Sequence, residues 1–357
     1  PGEVYQGETP SPEEQAAMVK VAHDLVKRLD PTRPVMDTSG GRLFNSEIHS
    51  LMMYGFSGPQ NYWRSRQLYP GLRASNAPLM VGEFGGYIFF PDMEKFKRQW
   101  GGEIPWPIVK PAGKGWGVLG QNMGAGYYER FYKWGLDKVY GSFATFAEQH
   151  DWAAFNDLKD EVEQVRKSPD VIGYNITMFS NIGPFVHGLV DYDLSLRAFH
   201  KELFSLQNPD LIITDWTKLN FWSQETFQAQ LILSHYGDKP IRGCVVKWRL
   251  EGLDIAGELA GISMDDVGVK TIGAISFQLP CVDSSTKLRL SVELHSVREN
   301  SDRERISRNY TDVYVYPERL KLPANKRKFK VIVVGTGLAG ASAAARGRKD
   351  RLRSRNT

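Results

Sequence analysis

Two short stretches have residue types and spacings that could do chemistry. The first is Val81-Gly82-Glu83-Phe84-Gly85-Gly86, where a carboxylate boxed in by glycines closes the apolar run Leu79-Met80-Val81. Such a run suits a buried parallel strand. A carboxylate at its C-terminal end stands where barrels of alternating strands and helices carry their active sites, and glycines there let a ligand approach the backbone. A strand ending in a turn with a solvated Glu fits the same residues. The second stretch is Gly335-Thr336-Gly337-Leu338-Ala339-Gly340, which follows Val331-Ile332-Val333-Val334 and precedes an alanine-rich run. Gly335, Gly337 and Gly340 satisfy the Gly-x-Gly-x-x-Gly spacing that seats a diphosphate on a helix N-terminus.

The elements that must position Glu83 follow an α/β rhythm. Ser11-Pro12-Glu13-Glu14 starts a helix, with an N-cap, a proline in the first turn and two acids beside it. Ala17, Val21, Leu25 and Leu29 then line one face, and Asp30-Pro31 ends it. Val35–Asp37 and Ile48–Tyr54 are expected as short strands, followed by glycine-rich loops. A long Gly-, Pro- and Trp-rich excursion runs from Glu83 to about Gly126. Helices are expected over Tyr127–Val139 and Phe143–Lys167, then a buried strand over Val171–Phe179. Residues 181–197 form a loop in which His187, Asp191 and Asp193 have no metal-ligand spacing.

From about Asn208 the pattern changes to short strands joined by turns: Leu211–Thr214, Gln228–Ser234, Gly243–Arg249, Gly273–Phe277, Lys287–His295 and Thr311–Tyr316. That spacing predicts an antiparallel β-sandwich. The expected fold class is therefore α/β: a partial (β/α)8 TIM barrel, its second half, over residues 1–205, then a β-sandwich over 206–320. Residues 321–357 form a linker, a Rossmann-like βα stub and a basic tail.

At 357 residues, with 41% hydrophobic and 24% charged residues, the chain has the composition of a globular protein. Its formal charge of +4 hides an asymmetry. Residues 318–357 hold twelve Lys and Arg against two acids, and the remaining 33 basic and 39 acidic residues give the preceding chain a net −6. Two cysteines, Cys244 and Cys281, leave the redox compartment open. No apolar run is long enough to span a bilayer. The chain opens in mid-motif at Pro1, so a periplasmic or secreted location is compatible with it.

Several stretches, in one order over residues 20 to 205, resemble the glycoside hydrolase family 2 proteins, which include β-galactosidases, β-glucuronidases and β-mannosidases. They include Leu29-Asp30-Pro31-Thr32-Arg33-Pro34-Val35, Glu47-Ile48-His49-Ser50, Gly82-Glu83-Phe84-Gly85-Gly86 and Gly173-Tyr174-Asn175-Ile176-Thr177. The resemblance implies a retaining hydrolase of β-glycosidic bonds with a carbohydrate substrate. Glu83 would be the nucleophile at the end of the seventh barrel strand, about 5 Å from a second carboxyl group that protonates the leaving group. In the family that acid/base is a Glu after an Asn, and its place in the order falls ahead of Pro1. A chain without it is expected to be inactive alone. His49 and Tyr54 resemble sugar-contacting rim residues, Asn175 closes the last strand at the same mouth, and Trp152 is a candidate platform under the sugar. A structural loop role for His49 and a core role for Trp152 fit the same residues.

The segment around Gly335, Gly337 and Gly340, with Pro323–Lys328 ahead of it, resembles the FAD-binding start of a succinate dehydrogenase or fumarate reductase flavoprotein subunit. The ribose-binding acid expected about 20 residues beyond the loop would fall past Thr357, and the chain runs into the basic stretch Arg346–Arg355. The segment is therefore read as vestigial. No flavin, other cofactor or metal is expected, and no nucleic-acid or membrane partner; the oligomeric state is left open. A carbohydrate-binding or structural remnant without turnover is the alternative, and an FAD-dependent oxidoreductase fragment a further one.

Overall fold

The computed structural model describes residues 11–37, 46–54, 78–99, 101–102, 127–182, 185–296 and 304–317, with residues 51–54 as backbone. The chain divides into two compact units, 1–317 and 318–357. The second unit, which holds Gly335, Gly337 and Gly340, lies outside the described residues.

Helix α1 (Pro12–Leu29) begins as its sequence dictates. The Ser11 hydroxyl accepts from the Glu14 N–H at 3.2 Å, and the Glu14 carboxylate accepts from the Ser11 N–H at 2.8 Å. None of its residues is buried, and Met18, Val21 and Leu29 are exposed. Val35–Asp37 is not a strand.

Three parallel strands follow: β1 (His49–Tyr54), β2 (Leu79–Gly85) and β3 (Val171–Thr177), in the order β1-β2-β3. Between β2 and β3 lie α2 (Met93–Gln99), α3 (Tyr127–Lys133), α4 (Asp137–Tyr140) and the long α5 (Phe143–Arg166). The expected helix over Tyr127–Val139 is broken at Trp134–Leu136, where Gly135 takes a positive φ of 68°. Ser142 caps α5 by accepting from the Thr145 N–H. Aromatic residues Phe90, Phe96, Phe131 and Phe143 form a small core that holds α2, α3 and α5 together.

After α6 (His200–Leu206) the chain enters two facing sheets. One has the order β4-β6-β9, made of Asp210–Trp216, Thr226–His235 and Gly268–Gln278. The other has the order β5-β11-β10-β7-β8, made of Asn220–Trp222, Arg305–Tyr316, Thr286–His295, Ile241–Leu250 and Ala256–Met264. Except for the parallel β5/β11 pair the ladders are antiparallel, and alternating residues such as Leu231, Leu233, Val246, Leu290, Val292 and Val313 fill the space between the sheets.

Helix α5 joins the two halves. Phe155, Leu158, Val162 and Val165 pack against Val81, Phe84 and Val171 of the parallel sheet, and the same cluster takes in Leu211, Ile213 and Ile232 of the sandwich. Arg166, at the end of α5, donates to Ser234 Oγ (2.9 Å), Asn208 O (3.0 Å) and Pro209 O (2.7 Å). Buried Glu163 accepts from Lys159 Nζ and from Asn309 Nδ2 of β11, both at 2.6 Å. Phe155 stacks on Phe199 with ring centroids 4.7 Å apart and is fully buried. Phe155→Ala should therefore lower the unfolding free energy by about 3–5 kcal/mol, read from urea denaturation, because the cavity opens in the core cluster that both halves share.

Candidate functional site

The register around Glu83 decides which way it faces. Between β1 and β2, Leu51 pairs with Val81 and Met52 with Glu83, so Gly82 is extra on β2. Between β2 and β3, Val81 pairs with Tyr174 and Phe84 with Ile176, so Gly82 and Glu83 together oppose Asn175. This is a one-residue bulge read identically by both neighbours. Without it Val81 and Phe84, three residues apart, would lie on opposite faces. With it both pack on the α5 side, fully buried. Glu83, next to Phe84, is thereby turned to the face that α5 does not cover.

On β3 the same alternation holds. Tyr174 and Ile176 pack on the helix side, Tyr174 meeting Phe84 edge-on at 5.7 Å. Asn175 and Thr177 therefore share the face of Glu83, and Asn175 is exposed beside it. Tyr54 pairs with Gly85 and so ends β1 at the same level. Gly85 and Gly86 turn the chain away with φ of 97° and 71°, and a Cβ on Gly85 would meet Thr177 O at 3.3 Å.

His49 and Trp152 are not part of this group. His49 begins β1 opposite Leu79, five residues from Tyr54, or about 17 Å along a strand. It sits at the far end of the sheet and on the helix side, because its partner Leu79 packs on that core. A six-residue strand cannot bring both its ends to one rim. Trp152 lies on α5 behind the sheet, edge-on to Phe155 and Phe199 at 6.0 and 6.4 Å, where it extends the core.

The two loops that leave the Glu83 end are tied into one layer by Arg197. Its buried guanidinium donates to Phe90 O (2.8 Å), Phe89 O (3.2 Å) and Gly188 O (3.3 Å), and pairs with Asp151 of α5 at 3.1 Å. Asp191 accepts from Asn181 Nδ2, Tyr192 N and Asp92 N. The Gly86 N–H donates to Thr177 O, and His187 Nδ1 donates to Tyr87 O at 3.1 Å. Lys95 bridges Asp193 at 2.5 Å, and its pairing holds the Asp193 carboxyl at about 2 against the opposing effect of burial. His187, Asp191 and Asp193 are thus loop-fixing groups. Among the described residues no three His, Cys, Asp or Glu side chains converge to hold a metal.

The chain shares its fold with a β-mannosidase. The enzyme is that of Dictyoglomus thermophilum, 17% identical, with a TM-score of 0.50 over 89% of this chain and 36% of the mannosidase. An exo-chitosanase of Amycolatopsis orientalis aligns at 15% identity and a TM-score of 0.48, over 82% of this chain and 34% of that one. The CARDB domain of the Pyrococcus furiosus protein PF1109 aligns over 30% of this chain and 92% of its own, at 13% identity and a TM-score of 0.22. The chain thus spans about a third of the two enzymes it matches. A profile for a domain of unknown function, DUF8488, matches residues 225–317, within the sandwich. No curated protein matches the chain.

Several acids behind the sheet are held protonation-ready by burial. Burial raises Glu161 to about 8, and Asp157 adds to the effect while the facing Tyr87 hydroxyl opposes it. Neither Glu161 Oε2 nor Tyr87 Oη closes a hydrogen bond of normal geometry, and the phenol is itself raised, by burial and then by Glu161. Asp160 rises to about 7 through burial and then Glu163, and Asp151 rises through burial despite Arg197. In the unfolded chain such carboxyls titrate near 4. Their raised folded values mean stability that is fully present below about pH 4 and lost as pH climbs through 7 to 8. The urea midpoint should fall between pH 5 and pH 8.5, and Glu161→Gln should flatten the upper part of that fall; an unchanged slope in the variant would contradict the assignment.

Proposed function

We propose that this chain is part of a retaining β-glycoside hydrolase in which Glu83 is the nucleophile. The observation that carries the reading is the bulge at Gly82, which sets a lone strand carboxylate on the face away from α5. Glu83 is the single carboxylate among the described strands of the parallel sheet. The mannosidase fold match and the family 2 resemblance support the chemistry. The three strands are read as a stretch of a (β/α)8 barrel. Two features favour this: parallel sheets are normally covered on both faces, and α1 carries an apolar stripe that stands exposed.

In this reading the Glu83 carboxylate attacks the anomeric carbon of a β-glycoside, the aglycone oxygen leaves with the bonding electrons, and water later releases the sugar with retained configuration. Asn175, beside Glu83 on the same face, is placed to hold a ring hydroxyl, and Tyr54 ends the neighbouring strand at that level. Arg197 keeps the loops of the mouth in place without touching substrate. Among the described strands of the sheet no second carboxylate stands as the proton donor. Without such a donor, turnover of an ordinary glycoside would lose the roughly 10²–10⁴-fold that general acid catalysis supplies.

An activated dinitrophenyl β-glycoside needs no donor. Such a substrate should be cleaved slowly by the native chain. Glu83→Ala should abolish cleavage, and added azide should restore it with formation of the α-glycosyl azide. Equal rates in the native protein and Glu83→Ala would remove Glu83 from the chemistry and leave the non-catalytic carbohydrate-binding reading.

A further inference from the structure

The outer face of the five-stranded sheet carries a group of aromatic rings that the hydrolase reading does not use. On β11, Val313 and Val315 point into the sandwich core, so Tyr314 and Tyr316 point out. On the edge strand β5, Phe221 is buried and Trp222 faces out, in register with Tyr316. The Trp222 and Tyr316 rings lie 6.2 Å apart, inclined at 64°. Tyr314 is two residues from Tyr316, or about 7 Å along the strand. Trp222, Tyr314 and Tyr316 are 42%, 37% and 36% exposed. Asn220 pairs with Tyr314 and accepts from the Tyr316 hydroxyl at 3.4 Å.

Among the described residues the charges around the rings cancel. Asp312 takes both Lys287 (2.7 Å) and a two-pronged Arg289 (2.8 and 3.1 Å), and Glu251 lies within electrostatic reach of Arg289. Lys218 is paired with Glu225 at 2.8 Å beside β5. A neutral rim attracts neither a polyanion nor a basic peptide. Size also discriminates. Three rings of about 150–250 Å² each, exposed to some two-fifths, offer roughly 200–300 Å². A stable protein interface buries about 800 Å² on each partner. A few pyranose rings, whose apolar CH faces lie on aromatic faces while their hydroxyls reach an amide and phenols, match both the area and the charge.

We propose that Trp222, Tyr314 and Tyr316 form a surface binding site for an uncharged polysaccharide, on a different sheet from Glu83 and independent of turnover. The platform gives the sandwich the task of retaining the polymer. Its rings are set by strand register, so the site needs no rearrangement to bind.

Native electrophoresis of the full chain through gels containing a soluble glucomannan tests this, with alginate as the charged control. The protein should be retarded by glucomannan, and any retardation by alginate, which the basic residues 318–357 can cause, should be the same in the native protein and in the platform variants. Trp222→Ala and Tyr314→Ala should each weaken the retardation constant about tenfold, with thermal midpoints unchanged. Trp134→Ala, an exposed tryptophan in the turn after α3, should behave as the native protein does. No retardation of the native chain, or equal retardation of the platform variants, overturns the site. So does light scattering that shows a dimer dissociated by Trp222→Ala, which would assign the face to a second copy. The assay involves no bond cleavage, so its result is separate from that of the azide experiment.

Discussion

A single extra residue in β2 is the constraint on which the rest depends. A strand backed by a helix must give alternate side chains to that helix, and any acid in the wrong phase would be driven into the core at a cost of several kcal/mol. Val81 and Phe84 both answer to α5, and only a slip of one residue between them allows it. Gly82 provides the slip. Its consequence is that Glu83 leaves the helix side and shares a face with Asn175, at the end of the sheet where Gly85 and Gly86 turn the chain outward.

Around that slip the architecture is a series of fixings. Helix α5 backs the sheet with one set of apolar residues and grips the sandwich with Arg166, Glu163 and Lys159. Arg197 holds the backbone after β2, the loop after β3 and Asp151 with one guanidinium. Its planar fork meets four acceptors from separate segments at once, one more than the three donors of a lysine ammonium. The loops at the Glu83 end are thereby positioned by charge-assisted bonds in a dry setting. The acidic residues on the helix side pay for that dryness with raised protonation values.

Much of this was legible in the sequence where local patterns coincide with tertiary structure. The capped start of α1, the long α5, the three parallel strands and most sandwich strands follow from apolar periodicity and turn residues. The strand Asn220–Trp222 is too short to show a period. Ala256–Met264, with two glycines and two alanines, has little strand propensity and is held by its ladder with β7. Val35–Asp37 has strand composition without strand pairing. Glu83 and Asn175 stand out in the sequence as a carboxylate and an amide near the ends of apolar strands. His49 was misplaced because composition does not say which end of a strand a residue occupies, whereas Trp152 sits at helical spacing from Phe155 and Leu158, the signature of a core position. Arg197 was overlooked: its partners are mostly backbone carbonyls, which leave no trace in residue types.

The most direct test of the account is mass spectrometry of the protein after incubation with a 2-deoxy-2-fluoro-β-glycosyl fluoride, a set of mannose, glucose and galactose configurations being tried. Its fluoride leaves without a proton donor, and the fluorine at C2 slows release. The account predicts one added glycosyl mass, located by peptide mapping on the peptide that contains Glu83. A label on another carboxylate would contradict it.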